Sequence, residues 1–297
     1  MVKKFKLSTS SVFINIFFIL FSLCFILPFW LIVSISLSGE DAILKSGYSL
    51  IPKEINFTAY QYVFANPKQI LDSYQITAIS AVFGTFFGVL VMTLIAYPLS
   101  RKDFFIRHQL TFLIFFTMLF GGGLIPTYIL NTQYLGMGDT IWVYIFPSLV
   151  SAWYIIILRT FFQGLPLSLV ESAKIDGASE FTIFYKIILP LSKPVLATIA
   201  LFVLLNRWND WYTSLIYIRS KELYTLQFLL QRILRDAQFV KDISRETPVG
   251  ISIAQSESPI ETMKFAMCIV AAGPMLLIFP FFQKYFSKGL TVGAVKG

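Results

Sequence analysis

The sequence predicts an all-α polytopic membrane protein with six spanning helices, and three observations carry that prediction. Apolar residues make up 56% of the 297-residue chain and charged residues only 13%. Its mean hydropathy is +0.72, and a soluble chain of this length needs more polar surface. Charged side chains are also confined to the intervals between long neutral stretches. None occurs between Lys6 and Glu40, Asp72 and Arg101, or Lys264 and Lys284, and from Gln109 to Leu158 the only one is Asp139. With Pro194–Ile218, these gaps accommodate six helices of the roughly 20 apolar residues that cross a bilayer core.

The first span, 12–37, follows Lys3-Lys4-Phe5-Lys6. It is longer than the apolar core of a signal peptide and no A-x-A site follows it, so it reads as an uncleaved helix. Further spans are expected at 73–99, 109–130, 139–158, 194–218 and 265–283, within a single transmembrane domain covering 1–297. Backbone polar groups find no partners in lipid, so each span must be helical. Pro28, Pro126, Pro147 and Pro274 imply kinks covered by neighbouring helices. Gly121-Gly122-Gly123 suits close helix packing or a hinge.

Basic residues set the orientation. Lys3, Lys4 and Lys6, then Arg101, Lys102 and Arg107, then Arg159, Lys174, Lys186 and Lys193, then Lys284, Lys288 and Lys296 all fall on one side of a six-span chain. The 131–138 loop on the other side carries none, and the longer loops 38–72 and 219–264 hold compensating acids. Both termini are therefore expected in the cytoplasm. Within 219–264, Leu226, Leu229, Leu230, Ile233, Leu234, Ala237 and Val240 recur at helical spacing, predicting an amphipathic helix from Tyr224 to Ile243. Such a helix can lie at the interface and meet an external partner, or simply cap the bundle.

Several functions are disfavoured. The net charge of +8 sits at helix ends, without a basic cluster interleaved with aromatics, which is a membrane pattern and not a nucleic-acid one. Cys24 and Cys268 fall inside spans, so no disulfide framework is indicated, and His108 reads as a solvated loop residue. There is no G-x-x-x-x-G-K-[ST] phosphate loop, H-E-x-x-H motif, Cys/His dyad or pair of embedded carboxylates. Nothing favours an enzyme or a metal site.

The polar segment 164–193 separates the fourth and fifth spans. Pro166 suits a first helical turn, Leu167 to Asp176 contains no breaker, and Gly177 fits the left-handed position that ends a helix. Ser179 can cap a second short helix running to about Ile188, before Pro190 and Pro194 reset the direction. The residues Glu171, Ser172, Ala173 and Gly177, followed by Ile187, Leu189 and Pro190, fit the pattern E-A-A-x3-G-x9-I-x-L-P. That pattern marks the cytoplasmic coupling loop of ABC import permeases, and the one departure is Ser172 in place of Ala.

The resemblance extends further. Phe120-Gly121-Gly122-Gly123-Leu124-Ile125-Pro126-Thr127-Tyr128, Arg159-Thr160-Phe161-Phe162, Ile175-Asp176-Gly177-Ala178-Ser179 and Trp208-Asn209-Asp210-Trp211 resemble carbohydrate ABC permeases of the branch associated with complex-polysaccharide fragments. The tail from Lys288 to Gly297 is similar to that of the maltose-type inner permease. The resemblance implies a bacterial cytoplasmic-membrane importer of oligosaccharides, built from two related permease chains, ABC ATPase subunits and an extracellular or periplasmic sugar-binding protein. ATP and Mg would be bound by the ATPase and no cofactor by this chain. Glu171, Ser172, Ala173, Lys174, Ile175, Asp176, Gly177 and Ala178 would dock in the ATPase, and the tail would reach the same interface. Two alternatives stay open: an importer of another solute, since amino-acid, phosphate and polyamine systems share the coupling loop, and a stand-alone channel or sensory protein.

Asn206, Arg207, Trp208, Asn209, Asp210 and Trp211 form a polar patch near the middle of the fifth span. Ionisable groups at that depth face a bundle interior or a wet cavity. On a continuous helix Asn206, Asn209 and Asp210 share a stripe, with Arg207 and Trp211 on an adjoining face at cation–π spacing. One reading makes the patch part of a sugar route, with Arg207 available to an acidic sugar. The other is a self-satisfied Arg207–Asp210 pair that ties helices together.

Overall fold

The computed structural model describes residues 9–246 and 259–293, where every regular element is helical apart from one isolated bridge pairing Ser38 with Ile55. Lys3, Lys4, Lys6 and Lys296, residues 247–258 of the 219–264 loop and the last four residues of the tail lie outside the described residues. The chain divides into two compact units.

One unit comprises the described parts of Met1–Pro67 and Leu230–Gly273. Its first helix, α1 (Thr9–Ser36), is apolar all round and exposes Phe13, Phe17, Phe21, Phe25 and Trp30, as a helix surrounded by lipid or by a partner would. Only its end is buried, where Ser34 Oγ donates to the Ser49 carbonyl at 2.8 Å; the exposed Trp30 Nε1, one turn earlier, donates to that of Leu50 at 2.9 Å. Two short helices follow, α2 (Glu40–Ser46) and α3 (Thr58–Val63). The Glu40 carboxylate accepts from the backbone N–H groups of Glu261 and Thr262, each at 2.9 Å, at the start of the long final helix Ile260–Gly293. A carboxylate there satisfies orphan donors and complements the helix dipole. Glu40→Ala is expected to cost about 1–2 kcal/mol. A lower unfolding midpoint of the full chain in detergent, with exposed Asp41→Ala as the neutral control, checks this.

The other unit comprises Lys68–Leu229 and the described part of Pro274–Gly297. Its main helix, α4 (Pro67–Ser100), buries Thr77, Ser80, Ala81, Gly84, Thr85 and Gly88 along one side. These small side chains let neighbouring backbone approach closely. Further along, Met92, Ala96 and Leu99 join Ile155, Leu158, Phe162, Ile183, Ile188 and Ile199 in the apolar core.

Three expected spans are interrupted. The third is α5 (Arg107–Leu119) and α6 (Leu124–Ile129) with a π turn over Leu130–Tyr134, and the two arms meet at 111°. The intervening glycines release the backbone, and Gly123 sits at φ +84°, a conformation side chains resist. The fourth is α7 (Trp142–Ile145) and α8 (Ala152–Gln163), separated around Pro147, which cannot donate to a helical ladder. The fifth is α12 (Lys193–Trp208) and α13 (Tyr212–Tyr217). Between α8 and α12 lie α9 (Leu167–Ile175), α10 (Glu180–Ile183), a π turn over Phe184–Ile188 and α11 (Leu189–Leu191). The amphipathic helix expected within 219–264 is α14 (Leu226–Glu246), two residues later than expected at its start, and the final helix is α15. Among the described residues three helices are long and apolar enough to cross a membrane, or up to six if each of three bent pairs counts as one span: α5 with the helix after it (111°), α8 with α9 (71°), and the stretch from α10 to α11 with α12 (76°).

Candidate functional site

The polar patch of the fifth span lies at a helix end and not in mid-helix. α12 stops at Trp208, where the Asn209 N–H donates back to the Leu205 carbonyl at 3.1 Å and the Asn209 side-chain amide donates to the same oxygen at 2.9 Å. Asp210 Oδ1 then accepts from the Thr213 N–H at 3.0 Å and so satisfies a donor in the first turn of α13. The unwound turn opens a cleft of about 440 Å³ lined by Ser148, Ser151, Tyr154, Asn206, Asn209, Asp210, Trp211 and Tyr212. Asn206 Nδ2 donates to Tyr154 OH at 3.4 Å, and Asn209 Oδ1 accepts from Gln227 Nε2 at 3.1 Å. Amides, hydroxyls, a carboxylate and an exposed indole around one opening suit a polyhydroxylated ring, which hydrogen-bonds at its edge and stacks on its apolar face.

Arg207 ties its helix to a neighbour, as one reading of the sequence expects, but through main-chain carbonyls and not through Asp210. Its side chain is buried, at 6% exposure. Nη1 donates to the Tyr144 carbonyl at 2.7 Å, and Nη2 to those of Ser148 at 2.8 Å and Ile145 at 3.4 Å. These are carbonyls that the break between α7 and α8 leaves without helical partners. The guanidinium is thus committed to the broken fourth span, and neither the Asp210 carboxylate nor the Trp211 ring holds it. The stripe expected of a continuous helix fails because the helix unwinds one residue after Arg207. Although Arg207 belongs to the cleft wall, both its terminal amino groups are engaged and only its buried Nε has no partner, which leaves little for an acidic sugar. Trp208 is buried against Tyr74, with ring centroids 6.5 Å apart, and does not line the cleft.

Sequence reasoning missed what receives Arg207. A Cβ on Gly84 would stand 2.2 Å from Arg207 Nη1, and one on Gly88 would stand 3.0 Å from the Leu149 carbonyl oxygen. The signal was present as Ser80-x3-Gly84-x3-Gly88, a small-residue stripe at helical spacing. A buried hydroxyl network beside it was not legible. Tyr144 OH meets Ser214 Oγ at 2.7 Å and donates to the Leu223 carbonyl at 2.7 Å, Ser214 Oγ meets Thr225 Oγ1 at 2.9 Å, and Thr77 Oγ1 accepts from the Leu226 N–H at 2.8 Å. These partners are far apart in sequence and unremarkable one at a time.

The segment from Glu171 to Ala178 forms a second candidate surface. α9 begins one residue after the Pro166 cap and ends in a Schellman motif: the Ala178 N–H donates to the Ala173 carbonyl at 2.9 Å and the Gly177 N–H to that of Lys174 at 3.0 Å. Gly177 has φ +75°, the left-handed conformation this turn requires. Ser179 Oγ then accepts from the Thr182 N–H at 3.2 Å and caps α10. Ala173 and Ala178 pack against the core, whereas Glu171, Ser172, Ile175, Asp176 and Gly177 are exposed. Ile175 is 86% exposed and Phe181 72%.

Lys174 does not point away. Its Nζ lies 2.7 Å from Glu180 and 3.1 Å from Asp103, while Arg101 lies 3.3 Å from Asp103. Tyr97 OH donates to Glu180 at 2.9 Å. Burial by itself would raise both carboxyls. Hydrogen bonds from Lys174 and Arg101 on Asp103, and from Lys174 and Tyr97 on Glu180, outweigh it and hold both below their ordinary range. The bonds to Glu180 and Asp103 raise the Lys174 ammonium in turn. The helix–turn–helix is therefore latched to the end of α4, where Arg159 Nε also donates to the Leu99 carbonyl at 3.1 Å.

Comparison with known proteins supplies a frame for both places. The family described as binding-protein-dependent transport system inner membrane component matches residues 104–292. The polygalacturonan/rhamnogalacturonan transport system permease protein YtcP of Bacillus subtilis (strain 168) is 38% identical over 281 residues, covering 95% of this chain and 96% of that one. The arabinooligosaccharides transport system permease protein AraQ of the same organism is 30% identical over 288 residues, covering 96% and 95%. A chain in the crystal structure of a bacterial ABC transporter involved in the import of the acidic polysaccharide alginate superposes with a TM-score of 0.74 at 28% identity, covering 96% of this chain and 99% of that chain.

Proposed function

This chain belongs to the binding-protein-dependent transport system inner membrane components, and from that membership we propose that it forms half of the translocation route of an ABC importer for oligosaccharides. It is a membrane-embedded permease and a transport subunit. The second half would be a related permease chain, the motor a separate ABC ATPase holding ATP and Mg, and the delivery a sugar-binding protein outside the cell. Six spans with both termini in the cytoplasm fit this role. The charges of Glu171, Lys174, Asp176 and Glu180 argue that α9 and α10 lie outside lipid, so the bends of 71° between α8 and α9 and of 76° before α12 would mark the edges of the membrane.

The observation that carries the coupling role is the exposed apolar side chain of Ile175 beside Glu171 on a helix fixed by a Schellman turn and an ion cluster. ATP can favour the outward-facing state only if this helix interacts differently with the open and closed ATPase. A latched helix transmits that difference to α4, and a mobile loop would absorb it. The cleft at Asn206, Asn209, Asp210 and Trp211 is the proposed sugar-contacting part of the route, and its lining is complementary to hydroxyls. Arg207 is left as the residue that shapes the cleft wall.

Reconstituting the chain with its partner subunits and binding protein should give ATPase activity that rises several-fold with pectic or arabinan oligosaccharides. Amino acids, phosphate and polyamines should leave it at the basal rate. Stimulation by one of those solutes instead would reassign the substrate, and conduction by the chain alone would remove it from this class of transporter.

A further inference from the structure

Four cationic side chains and a histidine converge on one cavity apart from the sugar cleft, and of the four only Arg101 also belongs to the ion cluster that latches α9. About 400 Å³ in volume, it is lined by Arg101, Lys102, Arg107, His108 and Arg159 on its polar side, and no carboxylate lines it. Apolar side chains, among them Phe162 and Leu165, complete the wall. The neighbouring acids Asp103 and Glu180 reach Arg101, at 3.3 and 3.9 Å, but face Lys174 on its other side. The uncompensated charge is therefore that of Lys102, Arg107 and Arg159.

Several donors have nothing to donate to. Arg159 uses only Nε, on the Leu99 carbonyl, which leaves both terminal amino groups open. Arg107 Nε is 3.2 Å from His108 Nε2, and its Nη1 makes a long contact of 3.4 Å with the Arg101 carbonyl. Arg101 Nε is buried without a partner. Guanidinium groups that converge with open donors match the tetrahedral oxygens of a phosphate, and an ammonium adds point charge. A small carboxylate would not use so many donors.

We propose that this cavity binds the headgroup phosphate of an anionic phospholipid of the cytoplasmic leaflet. Placement and wall chemistry select lipid over a soluble anion. The cavity lies where the neutral run of α4 ends, at Ser100-Arg101, beside the basic loop that orients the chain. Its apolar wall suits the glycerol and first methylenes of a lipid and offers nothing to inorganic phosphate. Basic pockets at that depth meet a leaflet that is itself anionic. Bound there, the lipid would brace Arg159 and Arg101 against the end of α4, next to the latch that holds α9.

The inference rests on the chain being membrane-embedded and not on which solute it carries, so its test needs no transport. Full-length chain is delipidated in detergent, and lipid retention is measured by native mass spectrometry during titration with dioleoylphosphatidylglycerol, dioleoylphosphatidylcholine or inorganic phosphate. Phosphatidylglycerol should be retained at least fivefold better than phosphatidylcholine, and Lys102→Gln/Arg107→Gln should erase most of that preference. Lys186→Gln, a basic residue outside the cavity, should keep it. Lys102 is exposed, so Lys102→Gln alone serves as the variant that cannot disturb folding and should lower the preference about twofold. Equal retention of the two lipids, or a preference unchanged in both cavity variants, overturns the proposal. Displacement of phosphatidylglycerol by millimolar inorganic phosphate overturns the lipid assignment and leaves a soluble phosphate site.

Discussion

Replacing Arg207 with Met should unfold or misassemble the protein before it alters any selectivity. The guanidinium satisfies three main-chain carbonyls at the break in the fourth span, and its side chain is buried beneath α4. Hydrogen bonds to a charged group contribute roughly 1.5–3 kcal/mol each and are not additive. Removing one side of a buried charged contact typically costs about 3–5 kcal/mol, because the partners left behind stay dry and unpaired. Arg207→Lys should recover little, since one ammonium cannot reproduce a fork that spans three carbonyls. Gly84→Ala attacks the same contact from the opposite side, because its new methyl would fall 2.2 Å from Nη1 and the arginine is held too tightly to withdraw. Both variants should lower the thermal unfolding midpoint of the purified chain and its yield. Asp210→Asn should leave the midpoint near that of the parent while lowering sugar-stimulated ATPase activity in the complex. If Arg207→Met folded normally and lost only uptake of acidic sugars, the arginine would belong to the substrate and not to the frame.

That contrast shows where reading the sequence succeeded and where it stopped. The long neutral stretches fixed the apolar helices because a missing charge is a one-dimensional signal. The turn at Gly177 was equally plain, since only a left-handed residue lets Ala178 reach back to Ala173. Of the breaks within the spans only the one around Pro147 was foreseen as a proline kink, since the third span breaks at its glycines and the fifth without a proline. Its size depends on what takes up the freed carbonyls. That was Arg207, some 60 residues away in the chain. Reading Arg207 as the partner of Asp210 followed from continuing the helix through Trp208. Once the backbone unwinds, the periodicity that placed them together no longer applies. Lys174 tells a similar story: the motif marks it, but only the fold brings Asp103 and Glu180 to it.

Ile175→Asp should separate the permease from its motor without touching its fold. Ile175 ends α9 with 86% of its surface exposed, so the substitution removes little packing, and surface changes of this kind usually stay within about 0.5 kcal/mol. In a docked complex the same side chain would be buried, and a carboxylate there would be desolvated without a partner, a penalty of several kcal/mol. Copurification of the ATPase with the tagged permease should then fall by at least tenfold, while the isolated chain keeps its unfolding midpoint. Ser172→Ala, which changes one exposed hydroxyl and raises helix propensity, should leave copurification intact. Gly177→Val provides an intermediate case. It leaves the exposed face in place but strains the turn at φ +75°, so the ATPase should still copurify while sugar-stimulated hydrolysis falls. Ile175→Asp complexes that assembled and hydrolysed ATP normally would place the motor contact elsewhere on the chain. The latch of Lys174 on Glu180 and Asp103 would then be a structural clamp with no part in coupling.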